Sequence, residues 1–126
     1  MKREFSRIDR LAEQVQQVLA VLIQREVKDP RLEAMITLSG VKLSKDLGYA
    51  DVYFTFLLPS LGEEVSPEVI KLNKQILQEA ASFLRHRLGQ EIRIRSLPEL
   101  RFHYDATQVE GEKLTSLINK AIAEDK

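Results

Sequence analysis

Ile8, Leu11, Val15, Val18 and Leu22 recur at spacings of three and four, and Ala12, Leu19 and Ile23 widen the stripe. That period predicts an amphipathic helix. Its start lies near Phe5 or Ser6, with Ser6 as cap, and its end near Lys28, because Pro30 pushes Asp29 out of the α region. Ile36 and Leu38 then share one face of an extended run, whereas Val41 and Leu43 have the opposite parity, a slip around Ser39 and Gly40 that a β-bulge repairs. After the polar turn Lys45-Asp46-Leu47-Gly48, the residues Ala50, Val52, Phe54, Phe56 and Leu58 alternate with Asp51, Tyr53 and Thr55, so a second strand closes a hairpin.

Pro59 to Val65 reads as a loop, and Ser66-Pro67-Glu68 as a helix start that places a capping hydroxyl, a first-turn proline and an acid in order. Val69, Leu72, Ile76, Leu77 and Ala80 continue the apolar face, while Phe83, Leu84 and Leu88 follow a slightly rotated stripe ending at Gly89. The shift predicts a kink or short break near Ser82 and then a second, shorter helix. Ile92 and Ile94 alternate with Arg93 and Arg95, but Pro98 confines pairing there to an edge, so the strand is expected over Glu99 to Tyr104. Leu114, Leu117, Ile118, Ala121 and Ile122 mark a closing amphipathic helix between Gly111 and Glu124. The order is helix, strand, strand, helix, kink, helix, strand, helix. Three strands cannot cover both faces, so the expected fold is α+β, with a three-stranded sheet carrying its helices on one face.

A chain of 126 residues matches one domain of roughly 100–200 residues, which sets the expected boundary at 1–126 with room for a flexible C-terminal end. The absence of cysteine removes thiolate metal sites, iron–sulfur clusters and thiol catalysis, and makes a reducing, cytoplasmic setting the simplest expectation. Met1 to Arg10 are charged, without the apolar centre of a secretory signal, and no run is long enough to span a membrane. Lys plus Arg and Asp plus Glu both number 19, but the charge is uneven: −2 over residues 1–70, +4 over 71–103 and −2 over 104–126. The basic block contains Lys74, Arg85, Arg87, Arg93, Arg95 and Arg101, and Lys2, Arg3, Arg7 and Arg10 form a second group diluted by Glu4 and Asp9.

The element order, with two helices meeting at small residues before the third strand, resembles the type II KH domain. More specific are Asp29-Pro30-Arg31-Leu32, Asp46-Leu47-Gly48-Tyr49-Ala50-Asp51-Val52-Tyr53, Phe83-Leu84-Arg85 with Leu88-Gly89, and the run from Leu97-Pro98-Glu99 through Leu100-Arg101-Phe102-His103-Tyr104-Asp105. Together, in that order and from about Phe5 to Leu117, they resemble the bacterial ribosome-binding factor A family. The resemblance implies a non-enzymatic factor that binds the free small ribosomal subunit and its 16S rRNA, assists late rRNA maturation including the 5′ end, and matters most in the cold. It implies a monomer without cofactor, metal, membrane or small-molecule substrate. It also implies that an Ala-x-Gly kink stands where KH domains carry a phosphate clamp; here those positions read Ala80, Ala81 and Ser82. Serine can bend a helix modestly by bonding a carbonyl one turn back, so the bend is expected at Ala81 to Phe83 with Ser82 at negative φ.

The residues support RNA binding on their own terms as well. None of the five glycines forms a phosphate-cradling pattern, so affinity must come from cationic side chains. Those arginines also fit a solvated face paired with Glu79, Glu91 and Glu99, which charge alone favours; the local excess and the resemblance tip the reading to RNA. Tyr53, Phe54, Phe56, Phe102 and Tyr104 could stack bases, but the phenylalanines share parity with aliphatic residues and read as core, leaving Tyr53 facing outward. His86 and His103 are not spaced as metal ligands, and His103 with Asp105 makes a poor acid–base pair without a nucleophile. A protein-interaction module without RNA contact and a small hydrolase are the competing classes.

Overall fold

The computed structural model describes residues 6–32, 36–56 and 65–106. The first helix, α1, spans Arg7–Glu26, and Ser6 caps it in a reciprocal box. Its hydroxyl accepts the Asp9 N–H at 3.1 Å while its own N–H donates to Asp9 Oδ2 at 3.1 Å, satisfying two of the orphan donors of a helix start. The helix ends just before the expected Lys28, at Val27, whose extended backbone still donates to the Ile23 carbonyl at 3.3 Å.

Strands β1 (Ile36–Leu43) and β2 (Tyr49–Phe56) form the hairpin, with the register slipping between Leu38 and Gly40 as the parity change requires. Ser39 is the extra residue, and its hydroxyl donates to Asp105 Oδ2 at 2.7 Å. In the hairpin turn the left-handed residue is Leu47, at φ 60, beside a glycine that could adopt that conformation without strain. Side chains compensate. Asp46 Oδ1 accepts from the Gly48 N–H at 2.9 Å and the Ser44 hydroxyl at 2.8 Å, and Ser44 Oγ accepts from the Tyr49 N–H at 3.0 Å.

Two helices, α2 (Pro67–Glu79) and α3 (Ala81–Glu91), carry the chain across to β3 (Glu99–Tyr104), which pairs parallel with β2. The sheet order is β1-β2-β3. A parallel neighbour needs such a crossover. Ser66 caps α2 by accepting from the Val69 N–H at 3.3 Å, with Pro67 in the first turn. One sheet face, carrying Ala50, Val52, Phe54, Phe56, Leu100 and Phe102, packs against Val15, Leu19, Leu22, Leu77, Leu84 and Leu88 from the three helices. The α+β architecture with helices on one face is therefore the observed one. Phe54, Phe56 and Phe102 lie in that core, with Tyr104 packed beside the first two.

Glutamine side chains from the helices occupy backbone groups of both outer strands. Gln78 of α2 donates to the Leu100 carbonyl at 3.0 Å and accepts from the Phe102 N–H at 3.1 Å. Gln16 of α1 donates to the Leu38 carbonyl at 3.2 Å. Bare edge groups template pairing with another chain, and these side chains occupy part of them.

The interruption between α2 and α3 falls at Ala80, the first of the three kink positions Ala80, Ala81 and Ser82 that the resemblance implies and one residue before the bend expected at Ala81 to Phe83. Ala80 has φ −84 and ψ −2, donates to the Ile76 carbonyl at 3.1 Å and accepts from the Leu84 N–H at 2.9 Å. Among the described residues no backbone bond ties Ala81, Ser82 or Phe83 to the last turn of α2. Ser82 keeps negative φ, as expected, but its hydroxyl bonds no carbonyl there, so the break is not a serine bend. The predicted closing helix at 111–124 and the strand end at Leu58 lie outside the described residues.

Candidate RNA interface

The predicted cations separate into groups with different commitments. Arg93 and Arg95 stand in the irregular segment between α3 and β3, both exposed, while Ile92 is buried and Ile94 half-buried beside them. Neither arginine has an ion-pair or hydrogen-bond partner among the described residues. Lys74, on the outer side of α2, is likewise exposed and unpaired there.

Arg85 has a structural task. Its Nε donates to the carbonyls of Leu97 and Pro98 at 3.2 Å each, and its Nη2 donates to Leu97 at 2.8 Å. The guanidinium fork thereby pins the end of the segment that displays Arg93 and Arg95. Gly89 lets that segment come close: a β-carbon there would sit 2.7 Å from Leu97 Cδ1. Helix interiors disfavour glycine, so the close approach is the reason for it.

Arg87 turns to α1. It reaches Glu26 Oε1 at 2.8 Å, Glu91 Oε1 at 3.4 Å and Gln90 Oε1 at 2.6 Å, with its side chain and that of Glu26 about one quarter to one third exposed. Its bond to Glu26 holds the Glu26 carboxyl below its ordinary pKa, and the same bond raises that of Arg87. Arg101 lies on the sheet face opposite the helices, so the basic block does not form one continuous surface. Arg7 and Arg10 are exposed in the first turns of α1, where the helix dipole favours acids over cations; Asp9 in the cap offsets this locally. Lys2 and Arg3 lie outside the described residues.

The open sheet face also assembles a group of planar side chains that strand parity placed together but did not pair. Asp51 on β2 receives Arg101 Nε at 3.0 Å and Nη2 at 3.2 Å, and meets His103 Nε2 at 2.8 Å. Desolvation opposes ionisation of Asp51, but the bonds from His103 and Arg101 outweigh it and keep its pKa below the ordinary value. The Arg101 guanidinium carbon sits 4.3 Å from the centroid of the Tyr49 ring, and the rings of Tyr53 and His103 are 5.3 Å apart at 32°. His103 thus takes Asp51 as its partner, while Asp105 meets Ser39. Asp29 and Arg31 form a local pair at 2.7 Å behind the first helix. That pair, with the Arg31 N–H, draws the Asp29 pKa down to about 2.

The sequence model of the ribosome-binding factor A family matches residues 7–118. A ribosome-binding factor A from Chromohalobacter salexigens is 52% identical over 124 residues, covering 98% of this chain and 90% of that one. Another from Hahella chejuensis is 53% identical over 125 residues, covering 99% and 91%. Among solved structures, the crystal structure of Thermus thermophilus ribosome-binding factor A is 28% identical with a TM-score of 0.61, covering 79% of this chain and 97% of that chain. A homology model of the Thermus thermophilus protein, fitted into a cryo-electron microscopy map of a complex with the 30S particle, matches with a TM-score of 0.57 at 28% identity, covering 78% and 94%. With a family match across most of its length and such relatives along nearly all of it, the chain belongs to the ribosome-binding factor A family.

Proposed function

We propose that this protein binds the free small ribosomal subunit through its 16S rRNA and assists late maturation of that RNA, including its 5′ end, with its greatest effect in the cold. It acts by binding, as a cytoplasmic monomer, without cofactor or catalytic step. The observation that carries this reading to particular residues is the segment after α3: Arg93 and Arg95, without a partner among the described residues, project their charge from a loop that Arg85 ties to the helix and for which Gly89 leaves room. Phosphates are the natural counterions for such a display, because each phosphate neutralised releases condensed cations from the nucleic acid. Lys74, Arg7 and Arg10 are the next candidates, and Lys2 and Arg3 precede the latter two in sequence. Arg87 and Arg101 are weaker phosphate ligands, since each already faces a carboxylate.

The test is co-sedimentation with purified ribosomal particles. Recovery with free small subunits and not with large subunits or assembled ribosomes is the expected result; equal recovery with all of them, or with none, overturns the reading. Depletion of the protein in cells shifted to low temperature should enrich 16S rRNA with unprocessed 5′ ends. Unchanged precursor levels there would remove the maturation role while leaving subunit binding in place.

A further inference from the structure

We infer that the sheet face opposite the helices is a second RNA-binding surface, one that stacks unpaired bases rather than neutralising phosphates. The carrying observation is the arrangement around Asp51. Tyr49, 43% exposed, and the guanidinium of Arg101, whose side chain is 49% exposed, lie 4.3 Å apart. Tyr53 and His103, the latter with a 39% exposed side chain, form a second pair of planar groups on the same two strands. Asp51 bonds both Arg101 and His103 and so fixes the orientation of both pairs from between them. Tyr53 is half-buried, but aromatic, imidazole and guanidinium planes that reach solvent on adjacent strands are surfaces on which bases stack whatever their sequence.

The charges on this face decide what kind of RNA it accepts. Register places Lys42 opposite Asp51 and Glu99 opposite Tyr49, so Lys42 and Arg101 are balanced by Asp51 and Glu99. A balanced face has little attraction for the densely charged backbone of a duplex, whose bases are also hidden from it. Single-stranded RNA offers what the face can hold, namely exposed π surfaces. Tyr49 and Tyr53 stand four residues apart on one strand, about 13 Å at roughly 3.3 Å per residue. One base cannot bridge that distance, so the face offers two base positions. Its contribution to affinity should be nearly independent of salt, whereas that of Arg93 and Arg95 should be steeply dependent.

This inference rests on the proposal that the partner is ribosomal RNA, and the experiment separates the two. The chain has three tyrosines and no tryptophan, so its intrinsic emission reports largely on this face. The full chain is titrated with an unstructured single-stranded RNA dodecamer and with the matching duplex. The expected result is quenching by the single strand and not by the duplex. Tyr49→Leu with His103→Ala should weaken single-strand binding by about tenfold or more, leave the salt slope unchanged and leave the circular dichroism of the protein intact. Absence of quenching at saturation, or unchanged affinity in the folded variant, overturns the stacking face even if the protein still co-sediments with small subunits. Should the variant lose subunit binding while its affinity for the dodecamer stays the same, the face meets a protein instead, and the inference also fails. Loss of co-sedimentation by the unaltered chain would instead sink the ribosomal reading.

Discussion

Arg93 and Arg95 differ from Arg85, Arg87 and Arg101 in what the fold has already asked of them. All five belong to the same basic stretch and would count equally in any sum of charge. In the folded chain Arg85 is committed to the carbonyls of Leu97 and Pro98, Arg87 to Glu26, and Arg101 to Asp51. Arg93 and Arg95 face solvent with no such partner among the described residues. A local excess of cations therefore marks a region, while commitment to protein partners decides which of them are available to a ligand. A committed arginine can still serve binding indirectly, since Arg85 holds the segment on which the uncommitted pair stands.

The largest expected effect comes from the uncommitted pair. Arg93→Ala with Arg95→Ala should weaken small-subunit binding on the order of tenfold and flatten the dependence of log affinity on log salt by roughly 0.7–0.9 for each phosphate no longer neutralised. Stability should change by no more than about 0.5 kcal/mol, because exposed side chains without partners support little of the fold. An unchanged salt slope in this variant would erase the division between free and committed arginines and move phosphate binding to Lys74 or to the Arg7 and Arg10 group.

Arg85 should behave in the opposite way. Arg85→Ala removes hydrogen bonds from an ionised donor to two carbonyls; allowing for its exposure, the loss of stability should be about 1 kcal/mol in denaturant unfolding. Subunit binding should fall less than in the double variant, with the salt slope kept. Arg85→Lys is the sharper test, because lysine restores the charge but not the planar fork that reaches both carbonyls. Full recovery of binding and stability with lysine would place Arg85 among the phosphate ligands and remove its distinction from Arg93 and Arg95.

How far the sequence could lead follows the same division. Periodicity exposed the stripe from Ala12 to Ile23, the parity slip at Ser39 and Gly40, and the caps at Ser6 and Ser66, since each is a local pattern of burial or bonding. It also separated Phe54 and Phe102 from Tyr53 by parity. What it concealed were pairings between distant positions: Arg87 with Glu26, Arg101 and His103 with Asp51, and Gln78 with β3. Gln16 and Gln78 carry no sequence pattern of their own, and only the sheet beside them reveals their bonds to outer-strand backbone. The positive φ of Leu47 leaves no trace in its residue type, since leucine rarely adopts that region. The bend expected at Ala81 to Phe83 lies one residue past the break at Ala80, since the rotated apolar stripe locates a change in helix direction only to within a turn.

Arg31 extends the contrast to a single pair of charges. Hydrogen bonds from its side chain and backbone N–H hold the Asp29 carboxyl at about 2 instead of 3.8. A carboxyl with a lowered folded-state pKa stabilises the fold above its unfolded value and loses that contribution as pH falls through the folded one. The Asp29 contribution should therefore be complete above about pH 4 and disappear as pH falls toward 2. Carbon-detected NMR of the Asp29 carboxyl should give a midpoint near 2, and Arg31→Ala should return it toward 3.8. A midpoint already at the ordinary value in the unaltered chain would show that this pair is loosely held in solution, and that Arg31 belongs with the uncommitted cations.

The smallest effect is expected at Ser82, which stands outside both groups although it lies at the junction between α2 and α3. The break is made at Ala80, whose αR backbone differs from the extended geometry that a capping side chain needs, so neither Ala80 nor Ser82 supplies a cap to α3. Ser82 is exposed in the first turn of α3, and its hydroxyl bonds no neighbour among the described residues. Ser82→Gly should then cost no more than about 0.5 kcal/mol through helix propensity, less than in a helix interior because the first turn lacks a full set of backbone bonds. Subunit affinity and salt slope should stay as they are, since the substitution touches neither Arg85 nor the loop it anchors. A marked gain in binding would mean that backbone at the junction approaches RNA closely and that the serine side chain stands in its way. The binding surface would then extend from Arg93 and Arg95 along α3 to its first turn.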